Sequence, residues 1–128
     1  MKFKKLLLLS LSCLTFTACT QLPIQSPNAQ LLAQVHNIEA FPEADSNQAN
    51  LLKYTNHCTI EFKANLGTGQ ATEHWSFKDN QLLSASTQII TENGLRKVTH
   101  FDLHDPAKQA NFVALRNNFS ADQLIACV

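Results

Sequence analysis

The first eighteen residues constrain this chain most, because they decide which residues are left to fold. Lys2, Lys4 and Lys5 form a basic start, positions 6 to 16 (Leu6 to Phe16) an apolar run of 11 residues, and Thr17-Ala18 a small-residue close. This is the pattern of a secretory signal removed on export. The run is about half of the ~20 residues a spanning helix needs, and no later stretch approaches that length. Cleavage after Ala18 leaves 128 − 18 = 110 residues, the size of one domain.

The end of this segment, Phe16-Thr17-Ala18-Cys19, resembles the lipobox of bacterial lipoproteins, in which the signal is cut just before a cysteine. The resemblance covers about 20 of the 128 residues and carries no information on fold. Phe16 stands where the family usually has Leu, which keeps the site apolar. Cys13 fits the pattern less well, since Ser10 occupies the corresponding apolar place. The resemblance implies that Cys19 becomes the first residue and is acylated by several chains. The protein is then anchored to a membrane rather than threaded through it. Thr20 replaces the Asp that resembles an inner-membrane retention signal, which implies the outer membrane and a domain facing the periplasm.

With Cys13 discarded and Cys19 carrying lipid, Cys58 and Cys127 remain, an even pair in a compartment that favours disulfides. No Cys-x-x-Cys or metal-type Cys/His spacing accompanies either one. A Cys58–Cys127 bridge would close a loop of roughly 70 residues, which the chain-entropy model values at about 4 kcal/mol. That is a large share of the stability of so small a domain.

Charge excludes some partners. The chain has 10 basic and 10 acidic residues, and Lys2, Lys4 and Lys5 leave with the signal, so the balance becomes 7 against 10. A mildly acidic domain without a Lys/Arg cluster is a poor nucleic-acid binder. It also lacks a polybasic patch to strengthen membrane attraction.

The remaining pattern predicts an α+β fold: a four-stranded antiparallel meander with a C-terminal helix packed on one face, preceded by an N-terminal helix. Residues 1–18 are the signal, 19–50 a tether containing that helix, and 51–128 the disulfide-stapled domain. Ser26 as N-cap, Pro27 at the first position and Leu31, Val35 and Ile38 at helical spacing predict the N-terminal helix, which Phe41-Pro42 would end. It either docks weakly or serves as a spacer. The polar stretch Glu43 to Asn50 reads as a linker.

Period two then takes over. Cys58, Ile60, Phe62, Ala64 and Leu66 alternate with polar residues, and Trp75 and Phe77 face inward in the next strand. Leu82 to Thr91 and Leu95 to His104 complete the meander, joined by the hairpin signal Glu92-Asn93-Gly94. Asp105-Pro106 opens the last helix, whose apolar stripe is Phe112, Leu115 and Phe119.

Chemistry-bearing constellations are few. His100, Asp102 and His104 alternate, so on one strand they share a face, and His74 might join from another strand; together they form a candidate zinc or copper site. Alternate strand residues stand roughly 6.6 Å apart, so the side chains would have to converge on an ion. They fit better as the wet face of a half-exposed strand, where polar residues belong. His57 and Cys58 are adjacent and point to opposite faces, which argues against a thiol nucleophile. The serines lack a Gly-x-Ser-x-Gly elbow, and Gly67-Thr68-Gly69-Gln70 lacks the Lys of a phosphate loop. With no carboxylate pair placed for acid-base work, the sequence predicts no enzyme and no cofactor. The expected function is a small lipid-anchored envelope protein that binds another envelope protein as scaffold, inhibitor or immunity factor. The alternative is a periplasmic metal-binding protein using the His/Asp strand face.

Overall fold

A computed structural model describes residues 28–128. The expected signal segment, Cys13, the expected acylation position Cys19 and the expected Ser26-Pro27 helix start lie outside the described residues. Six strands follow one another: β1 (Gln30–His36), β2 (Ser46–Lys53), β3 (Cys58–Leu66), β4 (Gly69–Lys78), β5 (Gln81–Thr91) and β6 (Arg96–His100). They form one antiparallel sheet in the order β1-β2-β3-β4-β5-β6. Helix α1 (Pro106–Arg116), the short helix α2 (Ala121–Leu124) and a 3-10 turn (Ile125–Cys127) close the chain.

This corrects the four-stranded expectation and its N-terminal helix. Residues 30–36 are a strand, because the four-residue step from Leu31 to Val35 satisfies two strand periods as well as one helical turn. In β1, Ala33 and Val35 pair with Leu51 and Ala49 of β2, and an irregularity between Leu31 and Ala33 absorbs one extra residue. The expected polar linker also holds a strand. Ser46, Gln48 and Asn50 of β2 face outward, while Ala49 and Leu51 face the core and are fully buried. A small Ala and an Asn at inward places hid the alternation. The folded unit therefore reaches back to Gln30, and β2 runs through position 51 without a break.

One face of the sheet is apolar and carries α1. Ala49, Leu51, Ile60, Phe62, Ala71, Trp75, Phe77 and Ala85 on the sheet, with Phe112, Leu115 and Phe119, form a single core cluster. Phe77 meets Phe112 at 5.2 Å between ring centroids. Asp105 caps α1, its Oδ1 accepting from the Ala107 N–H at 2.9 Å, and Pro106 takes the first turn. At Gly69, φ is +152° and a Cβ would collide with the Ile90 carbonyl oxygen, so only glycine fits the start of β4.

The C-terminal tail returns to the core. Sγ of Cys58 and Sγ of Cys127 stand 2.06 Å apart, with Cα atoms at 5.5 Å, so the two cysteines form a disulfide. Both are buried. The Asp79 N–H donates to the Cys127 carbonyl at 2.7 Å, which ties the tail to the β4–β5 turn as well. No helix among the described residues is long and apolar enough to cross a membrane.

Candidate functional site

The His/Asp constellation is spread rather than gathered. β6 ends at His100, because Asp102 spends its carboxylate on a turn: Oδ1 accepts from the His104 N–H at 2.9 Å. Asp102 and His104 therefore lie beyond the strand, while the partly buried Phe101 and Leu103 pack against the core. His74 stands on β4 and pairs through Ser86 with His100, two strands away, about 10 Å at normal strand spacing. Among the described residues no group of three or more His, Cys, Asp or Glu is placed to hold a metal ion. His57 stacks on Tyr54 at 4.9 Å, and its neighbour Cys58 is in the disulfide.

His74 has another role. Gln34, Asn50, Glu61, His74, Ser86 and His100 form one register row across all six strands, on the face opposite α1. Gln34 Nε2 donates to Asn50 Oδ1 at 2.8 Å, Asn50 Nδ2 to Glu61 Oε1 at 3.4 Å and His74 Nε2 to Glu61 Oε2 at 3.3 Å. Lys63 Nζ lies 3.4 Å from the same carboxylate. The His74 hydrogen bond, helped by the charges of Lys63 and His74, outweighs burial and holds the Glu61 carboxyl down at about 2. This face is a hydrogen-bonded mat of amides, hydroxyls and imidazoles.

A second acid sits on the core side. Glu73 is 6% exposed, and its Oε2 accepts from the Trp75 indole N–H at 2.8 Å. Burial pushes its carboxyl above the usual range, against the Trp75 hydrogen bond and the Lys108 charge. Phe101 leans on Trp75 at 5.3 Å, and Lys108 Nζ lies 4.0 Å from the Phe101 ring centroid. Strand parity signals this buried acid in the sequence, since Glu73 lies between the inward residues Ala71 and Trp75. Its native carboxyl holds a proton more tightly than the unfolded one, so it subtracts stability as pH rises from about 4.5 through the raised native value. Glu73→Gln keeps an acceptor for Trp75 and removes the charge. The variant should therefore have a higher urea midpoint than wild type at pH 7.5, with the gap closing at pH 4. A lower midpoint at pH 7.5 would show that the buried charge stabilises the fold.

Two concave features stand out: a shallow, more polar one of about 1000 Å³ beside the β4–β5 turn, and a more apolar groove between the β1–β2 connection and α1. Its volume is about 710 Å³, and Ile38, Ala40, Phe41 and Ala44 on one side face Ala110, Ala114 and Leu115 on the other. Four alanines leave the trough open, because neither wall has the bulk to fill it. The loop wall is fixed by Asn47, whose Oδ1 accepts from the Ile38 N–H at 2.8 Å and whose Nδ2 donates to the Ile38 carbonyl at 2.7 Å. Asn37 at φ 51° turns the chain out of β1, and its N–H donates to the Asn47 carbonyl at 2.8 Å. Phe41 stands 67% exposed at the rim. Glu39 and Glu43 also line the groove. Such a trough suits non-covalent binding of an apolar group; its lining holds no Ser, Thr, Cys, Lys or His, and its titratable groups are the exposed carboxylates of Glu39 and Glu43. The walls lie about 70 positions apart in sequence, so no local pattern announces the site. Comparison with protein-family models, with curated proteins and with solved structures found no match for this chain.

Proposed function

We propose that this is a small lipid-anchored protein of the cell envelope, held at the outer membrane by acylated Cys19, that faces the periplasm and acts as a non-enzymatic protein-interaction module. The observation that carries the reading is the groove between the 37–45 segment and α1, with Phe41 exposed on its rim. Phe41 continues the apolar lining of Ile38, Ala40, Ala44, Ala110, Ala114 and Leu115, so the exposed surface there is a contiguous patch, the kind that marks an interaction site. The export signal and the lipobox-like Phe16-Thr17-Ala18-Cys19 support the anchor. β1 carries the chain roughly 20 Å from Gln30 to His36 before the groove begins.

The test is site-specific photocrosslinking in cells that make the protein. A benzophenone side chain at position 41 should give a discrete adduct, absent when the probe sits at the exposed Ser84 on the polar face. Filling the groove with Ala114→Arg should abolish the adduct. Equal adducts from positions 41 and 84, or none from 41, would contradict the proposal.

A further inference from the structure

We propose that the groove takes a short peptide segment of its partner, an apolar anchor side chain flanked by Lys or Arg. This rests on the groove being the interaction site, and it adds the chemistry of the occupant. The two walls supply an apolar floor that a single large side chain can enter. The volume of about 710 Å³ lies within the ~300–1,000 Å³ range of ligand clefts. The rim sets the charge. Glu39 and Glu43 are both exposed and both line the groove, while no Lys, Arg or His lines it.

Neither glutamate is used within the fold. The ion pairs among the described residues all involve Glu61, with Lys63 and His74. Two uncompensated carboxylates beside an apolar trough attract a cation on the chain that fills it, and they disfavour the anionic head of a fatty acid or phospholipid. With the signal gone, 7 basic residues face 10 acidic ones, so the long-range field of the domain acts in the same direction. Asn111, on the helix wall, adds a carboxamide that can meet the backbone of an extended segment.

Fluorescence anisotropy on the full mature protein in detergent tests this with three labelled pentapeptides that share a Leu-Phe-Leu centre and carry Lys, Ser or Glu at both ends. The Lys peptide should bind at least tenfold more tightly than the Glu peptide, with the Ser peptide between them. The preference should shrink in the Glu39→Gln/Glu43→Gln double variant and with rising salt. Phe41→Ala should weaken all three peptides, and its exposed position leaves folding intact. If the peptides bind equally and depend on Phe41, the charge selection is overturned and the groove stands. If none binds in a Phe41-dependent way, both fail. Tighter binding of dodecanoate than of the Lys peptide, or Phe41-dependent self-association in sedimentation, would overturn the peptide assignment in favour of a lipid or a second copy.

Discussion

Cys127→Ser lowers the unfolding free energy by about 4 kcal/mol, the chain-entropy value for a loop of this length. The bridged cysteines are 69 positions apart, so the bond restrains most of the folded unit in its unfolded state. Besides the hydrogen bond from the Asp79 N–H to the Cys127 carbonyl, the native tail has little else to hold it. Ile125 is 71% and Val128 73% exposed, and Leu124 is the one tail residue partly packed against the core beside buried Cys127. The Ser120–Gln123 capping box shapes α2 without fastening it to the sheet. Urea unfolding of wild type with and without reductant, beside Cys127→Ser, measures the effect. The reduced protein and the variant should agree, and Tm should fall by roughly 15–30 °C. A loss below about 1 kcal/mol would mean that the tail is held by contacts other than the bridge.

Trp75→Ala is expected to cost about 3–5 kcal/mol, the range for deleting a large aromatic from a core. Trp75 is fully buried on β4, between β3 and β5, opposite Ile60 on one side and Ala85 on the other. Its loss empties the space against Phe101 and also strands Glu73, whose carboxylate loses the indole donor. Trp75→Phe separates the two effects, since it keeps most of the ring volume and removes only the N–H. Its cost should be smaller and should decline on acidification, because a protonated Glu73 needs that donor less. Equal costs at pH 7.5 and pH 4 for Trp75→Phe would show that the hydrogen bond contributes little.

The parts of the fold legible in the sequence are those where local rules agree. From Cys58 to Phe77 the inward residues are large and the outward ones polar, so strand and facing can be read directly. Asp105-Pro106 marks a helix start by cap and ring chemistry at once. The first two strands were hidden for separate reasons. Leu31 and Val35 fit both periods, and the tie breaks only when Ala33 and Val35 find Leu51 and Ala49 across the ladder. β2 hides behind amides, because its outer face joins a polar mat instead of a charged surface, and its inner face begins with Asn47 and Ala49. Both strands are specified by pairing, which single-strand periodicity does not contain.

The same distinction runs through the sites. The even spacing of His100, Asp102 and His104 suggests one strand face. The turn-forming habit of Asp102, whose carboxylate accepts from the N–H two residues on, wins instead, and the three part company at the end of β6. Glu73 was open to inference by parity alone. The groove was not, since it exists only where residues 38–47 and 110–115 meet.

The proposed export and anchoring would account for the compartment in which the disulfide forms and for the setting in which the groove would meet its partner. The most direct measurement is the intact mass of the protein from the membrane fraction. The account predicts a mature chain beginning at Cys19, without residues 1–18 and with the added mass of acyl chains, and a Cys19→Ser variant that leaves the membrane fraction. A chain that retains residues 1–18, or an unacylated Cys19 in the soluble fraction, would contradict it.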